Sequence, residues 1–155
     1  MADDKYTIRR ATLKDAVDIR EVLKTWLTES PYNFGSANNK KLLDNIIFYI
    51  RHSFVIVVIN RKNVIVGTLG AALDDTWYTD KKFLSMLWIH VLPKCRNFTV
   101  VRSMMIVLTE YAKSNQKTLL IESIHGKDMD IKPKLFMKLG FSFLHRHSLV
   151  SRPSL

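Results

Sequence analysis

The spacing of apolar residues changes along the chain, and these changes predict a series of helices and strands. Residues 16–27 and 42–50 repeat apolar positions at three- and four-residue steps, which is typical of helices with one buried face. Thr12 followed by Asp15 predicts a capped start for the first helix. The alternating segment Tyr6–Arg10 predicts a short strand ahead of it.

The middle of the chain predicts an antiparallel meander. Residues 54–59 form a continuous apolar run, residues 60–63 predict a tight turn, and residues 64–73 return as a partner strand. Two glycines in that return strand indicate a bulge or a close neighbour. A polar loop at 74–80 and a third strand at 83–91 are expected to follow.

The last third of the chain predicts two helices and the remaining strands. Residues 101–112 repeat as a long helix, residues 117–124 predict a strand, and a short helix ends at Gly140. Residues 141–150 are left for a final strand or hairpin. The order β-α-α-β-β-β-α-β-α-β(-β) predicts a single domain over residues 1–155. Its fold class is mixed α/β, a mostly antiparallel sheet of six to seven strands with about four helices on both faces.

Composition narrows the class of protein. Of 155 residues, 47% are hydrophobic and 25% are charged, which indicates a globular chain. No apolar run reaches the roughly 18 residues that a membrane span requires, and the start of the chain lacks the apolar segment of a signal peptide. The one cysteine, Cys95, excludes an internal disulfide. We therefore expect a cytoplasmic protein without a membrane partner and without a bound metal.

The net charge of +10 favours an anionic partner. Nucleic acid, anionic lipid and a phosphorylated small molecule all fit such a surface. The basic residues, however, cluster only in pairs such as Arg9 and Arg10. A solvated basic surface without a binding role therefore stays open as an alternative.

Residues 88–102 form the segment with the clearest chemistry. They read as a buried strand that passes Pro93 and a basic turn into the long helix. A helix that begins directly after a strand presents free backbone N–H groups at the positive end of its dipole, where phosphate binds well. Lys94, Arg96 and Arg102 add positive charge there. The segment predicts a site for a nucleotide-bearing cofactor.

Four segments together resemble the GNAT superfamily of acyl-CoA-dependent N-acetyltransferases. The opening YTIRRATLKDAVDIREVL is similar to its first strand and helix, and VIVGTLGAAL to its hairpin return strand. WIHVLPKCRNFTVVRSMMIVLTEYAK is similar to its cofactor-binding segment, and KPKLFMKLGFSF to its closing helix and Leu-Gly-Phe turn. A Leu-Trp-x-x-Val-x-Pro pattern also resembles short members encoded by phages. The resemblance implies acetyl-CoA as the cofactor.

The family's pyrophosphate loop has the pattern Gln/Arg-x-x-Gly-x-Gly/Ala, and it aligns with residues 96–101. Arg96 is retained, while Thr99 and Val101 replace the small residues. Since a β-branched side chain could crowd the phosphates, Val101 is expected to weaken binding. By resemblance, the cofactor-binding residues are Ile89, Val91, Arg96, Asn97, Phe98, Thr99, Val100, Val101 and Arg102.

The catalytic residues are harder to assign. The family often has a carboxylate in the middle of the fourth strand and a tyrosine before the Leu-Gly-Phe turn; residues 84–88 hold no acid, and Phe136 takes the tyrosine's place. Glu122 and His90 are the remaining catalytic candidates. An exposed strand-end glutamate and a structural histidine are the alternatives for them.

Two aromatic residues of the polar loop are the substrate candidates. Trp77 and Tyr78 could close over an acceptor, and the alternative is a surface loop with two anchoring aromatic side chains.

Two functions of different class follow. The first is an N-acetyltransferase that transfers an acetyl group from acetyl-CoA to a primary amine of a small molecule or a protein. The alternative is a catalytically inactive GNAT-fold binding protein, acting through CoA, a protein partner or a basic surface that faces nucleic acid. A nucleic-acid binder outside this family rests on net charge alone. Either a monomer or a homodimer fits the sequence.

Overall fold

The computed structural model describes residues 5–29, 35–76, 79–122, 131–145 and 148–151. These residues form four α-helices, two short 3₁₀ helices and seven strands. The helices are α1 (Ala16–Glu29), α2 (Asn39–His52), α3 (Phe98–Ser114) and α4 (Ile131–Lys138), and the 3₁₀ turns are Leu13–Asp15 and Pro93–Cys95. The strands are β1 (Tyr6–Arg10), β2 (Phe54–Asn60), β3 (Ile65–Thr76), β4 (Thr79–Val91), β5 (Thr118–Glu122), β6 (Phe141–His145) and β7 (Ser148–Ser151).

All described strands belong to one sheet, in the order β1-β2-β3-β4-β5-β7-β6. Neighbouring strands are antiparallel except β4 and β5, which run parallel. The parallel pair arises because α3 carries the chain across the sheet between the two strands. The predicted fold class, a mostly antiparallel mixed sheet of six to seven strands with about four helices, is confirmed.

The continuous apolar run of β2 is explained by burial on both faces of the sheet. Phe54, Ile56 and Val58 belong to the larger core cluster, which also contains the buried face of α3. Val55 and Val57 belong to a second cluster with the buried residues of α1 and α2. Alternate β2 side chains therefore pack against opposite helical layers, and no position of the strand is left for a polar residue until its end.

A charged cluster fixes the start of α1. The Thr12 backbone N–H donates to the Asp15 carboxylate at 2.7 Å, as the predicted cap requires. Arg9 of β1 donates two further hydrogen bonds to the same carboxylate, at 2.7 and 2.9 Å. The Arg9 guanidinium lowers the pKa of Asp15 to about 2, with help from Thr12. The cluster joins the first strand to the first helix.

The prediction of a polar loop at 74–80 is wrong. β3 continues to Thr76 and β4 already begins at Thr79, so most of that segment is strand. Asp75 lies opposite Lys82, and their charged groups are 3.8 Å apart. Polarity suggested a loop, but this end of the hairpin is exposed, where polar side chains fit a strand equally well.

Gly70 leaves room for the ring of Trp88 on the neighbouring strand. A Cβ at this position would lie 2.4 Å from the ring of Trp88, whose indole N–H donates to Thr68 at 3.2 Å. We expect Gly70→Ala to displace the ring and lower the free energy of unfolding by about 1–3 kcal/mol, measured by urea denaturation. Gly67→Ala is the matched control, because its Cβ would meet neighbours at 3.1 Å and should cost less. Equal stability of Gly70→Ala and the parent would contradict this packing.

Asp15 makes stability depend on pH. Since its pKa is lowered in the folded protein, its contribution is present above the unfolded value of about 3.9 and is lost as the pH falls through about 2. Asp15→Asn should lower the free energy of unfolding by about 1–2 kcal/mol at pH 7, with Arg9 half-exposed to solvent. The difference between the two proteins should shrink between pH 4 and pH 2. A difference that stays constant over that range would exclude this role.

Candidate functional site

The strands β4 and β5 separate after a short common segment. They pair only from Phe83–Ser85 to Thr118–Leu120. Beyond that point the pairing of β5 with β7 continues, whereas β4 pairs only with β3 among the described residues. A β-bulge at Leu87 marks the separation, since Met86 lies opposite Ala71 and Trp88 lies opposite Gly70. Beyond Ser85 this edge of β4 has no strand partner within the described residues, and we call it the β4 opening.

Backbone groups of β4 face this opening. The N–H of Leu92 donates to Val66 of β3 at 2.8 Å, so Leu92 faces β3. By the alternation of an antiparallel ladder, Val91 and Ile89 face the other way, toward the opening. Arg96 donates two hydrogen bonds to the Val91 carbonyl, from Nε at 3.2 Å and from Nη2 at 2.9 Å. Both polar groups of Ile89 and the N–H of Val91 have no strand partner among the described residues.

The first turn of α3 has two backbone donors to offer. The Asn97 side chain accepts from the Val100 N–H at 2.9 Å, and the Asn97 carbonyl accepts from Val101 at 3.3 Å. The N–H groups of Phe98 and Thr99 have no partner among the described residues. They lie at the positive end of a 17-residue helix, where an anion is stabilised.

Side chains of this turn divide into exposed and packed ones. Phe98, Thr99 and Arg102 are exposed. Val100 is buried, and Val101 packs in part against the larger core cluster. Val101 therefore directs apolar surface toward the interior. Crowding of a bound phosphate by this side chain stays a prediction.

The Arg96 side chain contacts the end of β4 and the end of α1 rather than the first turn of α3. Besides the Val91 carbonyl, its Nη2 contacts the Glu29 carboxylate at 2.9 Å. Arg96 thus joins the end of β4 to the last residue of α1. Sequence analysis missed Glu29, although an acid at a helix C-terminus is unfavourable for the helix dipole and so indicates a partner elsewhere.

His90 lies on the other face of the sheet. Ile89 packs with the α3 side of the core, whereas Trp88 packs with the α1 and α2 side, and alternation places His90 with Trp88. The imidazole is buried, and its Nε2 is 2.7 Å from the Thr25 hydroxyl of α1. This is the contact of a structural histidine. A catalytic role for His90 stays a prediction.

The other candidate residues are only partly placed. The backbone of Glu122 pairs with Ser148 at the end of β5, but its side chain lies outside the described part of the chain, as do Trp77 and Tyr78. Phe136 is buried and packs edge-on against Phe141, in the place where the family often has a tyrosine. The structure therefore groups Ile89 and Val91 with the start of α3, and separates His90 from them.

Two buried oxygen atoms have no hydrogen-bond partner within the described residues: Ser85 Oγ and Glu29 Oε1. Ser85 belongs to the last pair before β4 and β5 separate, and Glu29 lies beside the end of β4. Buried polar atoms usually have partners, so both positions call for an explanation. Neither residue was a candidate in the sequence, where nothing distinguishes Ser85 from other polar positions of a strand.

The described residues show neither a cluster of metal-ligating side chains nor a membrane-spanning helix. No group of three or more His, Cys, Asp or Glu side chains there could hold a metal ion. No described helix has the length and apolar character needed to cross a membrane.

Solved structures with the same architecture are acetyltransferases. A predicted acetyltransferase from Clostridium acetobutylicum, solved with acetyl-CoA, matches with a TM-score of 0.74 and 18% identity, over 91% of this chain and 92% of its own. A GNAT family acetyltransferase from Brucella melitensis in complex with acetyl-CoA gives 0.72 and 13%, over 97% and 89%.

A third similar structure is an aminoglycoside 6'-N-acetyltransferase from Acinetobacter baumannii, with a TM-score of 0.69 and 16% identity over 91% of this chain and 93% of its own. No protein-family model matches the sequence, and no curated protein is significantly similar to it. At these identities the likeness establishes the fold. The chain therefore has the fold of the GNAT acetyltransferases.

A buried hydroxyl without a hydrogen-bond partner among the described residues can be compared with one that has two partners. Ser85→Ala should leave the melting temperature equal or higher, because it removes a hydroxyl that has no partner. Thr68→Val is the control, since the Thr68 hydroxyl donates to the Ile56 carbonyl at 3.0 Å and accepts from Trp88. It should lower stability by about 1–3 kcal/mol. A loss of the same size for Ser85→Ala in differential scanning fluorimetry would mean that its hydroxyl has a partner.

Proposed function

We propose that this protein binds acetyl-CoA and transfers its acetyl group to a primary amine. The observation that carries the proposal is the β4 opening, followed along the chain by the N–H groups of Phe98 and Thr99 at the start of α3. An extended ligand arm could pair with Ile89 and Val91 as an added strand, while its phosphates met the N–H groups of Phe98 and Thr99. The likeness to structures solved with acetyl-CoA supports this assignment.

The residues present fit such a cofactor in two respects. Backbone donors bind phosphate whatever the side chain, so Thr99 in place of glycine retains the N–H and adds a hydroxyl. Arg102 and Lys94 are exposed beside the turn and supply the positive charge. When bound, acetyl-CoA would supply an activated thioester as the acetyl donor. The chain's own contribution is then to hold the donor along β4 and to exclude water from it.

The rate would rest mainly on positioning. Residues 84–88 hold no acid and Phe136 has no hydroxyl, so the usual base and acid of the family lack counterparts. Holding two reactants in contact can by itself lower a barrier by several kcal/mol. The acceptor is an amine of a small molecule or a protein; the likeness to an aminoglycoside acetyltransferase makes small polyamines the first class to test.

A second candidate is a binding protein with the same fold and no catalysis. The specific observation in its favour is the burial of Phe136 against Phe141, which fills the place of the usual proton donor with apolar contacts. Such a protein would bind CoA without releasing thiol. Thiol release from acetyl-CoA with a panel of amines separates the two functions, because only the acetyltransferase gives release that depends on the amine.

The backbone donors can be tested by one substitution at the first residue of α3. Phe98→Pro removes the N–H yet suits the first helical position, because the preceding Asn97 is already extended at φ −150° and ψ 164°. We expect acetyl-CoA affinity to fall roughly tenfold in isothermal titration calorimetry, the scale of a hydrogen bond to a charged group.

Phe98→Ala is the matched control, since it removes the same exposed ring and keeps the N–H. It should bind acetyl-CoA within about twofold of the parent, well below one charged hydrogen bond. Equal affinities of Phe98→Pro and Phe98→Ala would exclude this amide from the site. Absence of any acetyl-CoA binding by the parent would overturn the proposed function as a whole.

A further inference from the structure

We infer that Asp74 binds a second ammonium group of the acceptor, so that the preferred acceptors are amines with two or more cationic groups. This inference rests on the proposed function and names the acceptor class of the same site. Three observations carry it: the end of the β4 opening at which transfer takes place, the side of the sheet that is open there, and the exposed carboxylate of Asp74 on that side.

The reacting end of the cofactor follows from the two ends of the β4 opening. The N–H groups proposed for the phosphates lie in the first turn of α3, which comes after the end of β4. A cofactor arm that pairs with Ile89 and Val91 therefore runs from that end back along β4 toward Ser85, where the pairing with β5 stops. Its thioester would then lie at the Ser85 end. The acceptor must reach the opening at that end.

One side of the sheet is filled at this end, and the other side is not. Leu84 and Met86 pack with the larger core cluster on the α3 side. On the other side, the cluster under α1 and α2 includes Trp88 and Leu92 but, in the described part of the chain, no residue of β4 before Trp88. Leu87 at the bulge is 41% exposed. The acceptor therefore approaches from the α1 and α2 side.

Asp74 lies on this same side of the sheet. Because Leu84 points to the α3 side, alternation directs Phe83 and Ser85 to the α1 and α2 side, and Asp74 is the residue opposite Phe83. Ser85 is buried, whereas Asp74 is exposed. Standard strand spacings put Asp74 about 10–15 Å from an arm added beside β4 at the Ser85 end. The outer nitrogens of extended spermidine are a comparable distance apart.

The carboxylate of Asp74 is available to a cation. Its Oδ1 accepts a hydrogen bond from the Asp75 N–H at 2.9 Å, and it has no ion pair among the described residues. Lys81 shares this side, but its ammonium lies over the Phe83 ring, 5.4 Å from the centroid. Asp75 points to the other side, where its carboxylate is 3.8 Å from Lys82. Of these two neighbouring aspartates, Asp74 is the one that faces the acceptor.

The charge of the chain makes such a carboxylate necessary for one class of acceptor. At a net charge of +10 the protein repels cationic ligands at a distance. A monoamine reacts as the neutral amine and then has no other charge, whereas a polyamine brings further groups that are cationic at neutral pH. Those groups need a negative partner close to the reacting end. Asp74 supplies it.

The test compares spermidine with n-butylamine, which has a single nitrogen. Thiol release is followed at saturating acetyl-CoA in 0.15 M salt, where exposed charges more than about 8 Å apart are largely screened. The parent should have a lower KM for spermidine than for n-butylamine. Asp74→Asn should raise the ratio of the spermidine KM to the n-butylamine KM about 2- to 5-fold, the range of an exposed ion pair. Asp74→Lys should raise this ratio further, because it introduces a like charge.

Asp75→Asn is the matched control. It removes one negative charge from the neighbouring residue, whose carboxylate lies on the other side of the sheet beside Lys82. Its KM ratio should stay within about 1.5-fold of the parent at this salt concentration. The Kd of acetyl-CoA should be the same for the parent and all three variants, and fluorimetric melting checks that each variant folds. Equal shifts of the KM ratio in Asp74→Asn and Asp75→Asn would overturn the inference.

The failure of this inference can be told from failure of the proposed function. A parent protein that transfers to n-butylamine without any preference for spermidine, or an Asp74→Asn variant with the KM ratio of the parent, would overturn the role of Asp74 alone. A parent protein that binds no acetyl-CoA, or that transfers to no amine, would overturn the proposed function and with it this acceptor site.

Discussion

The candidate site depends on the short pairing between β4 and β5. β4 pairs with β3 along nearly its whole length but with β5 over only three residues. The bulge at Leu87 turns β4 away at the point where that pairing stops. Among the described residues, backbone N–H and C=O groups on this edge therefore have no strand partner, which a folded chain normally avoids. A ligand that supplies the missing strand would restore the pairing.

Arg96 satisfies part of this unpaired edge. Its guanidinium satisfies the last carbonyl of the open edge and ties it to α1 through Glu29. The sequence pattern assigned this arginine to phosphate, since it is the retained residue of the loop. In the structure its guanidinium contacts the end of β4 and Glu29. Its role in cofactor binding stays a prediction.

Much of the fold could be predicted from local patterns. The helices α1 to α3 and the strand β2 follow from apolar spacing, because each buries a face whose period appears in the sequence. The hairpin end of β3 and β4 could not be predicted in this way, since an exposed strand with polar residues on both faces has the composition of a loop. Its strand character comes from pairing across the hairpin, which local composition does not record.

The candidate site was predictable only where it depends on the backbone. The strand that runs through Ile89 and Val91 and the helix that follows the basic turn were predicted from the apolar pattern. Glu29 was not expected, since its role comes from a contact with Arg96, 67 residues away in sequence. His90 was open to two interpretations because a single strand histidine can face either side of the sheet.

The uninterrupted apolar run of β2 has a consequence for folding. A strand with alternating polar and apolar residues resists a one-residue slip, because the slip would expose its apolar side. A slipped β2 would still bury apolar residues on both faces, so burial alone does not specify how it aligns with β3. That alignment must come from the neighbours: Val55 and Val58 lie opposite Gly70 and Gly67, and the turn at Asn63 has a positive φ of 59°. Substitutions at Gly67, at Gly70 or in the turn at Asn63 should therefore produce chains in which β2 is misaligned with β3.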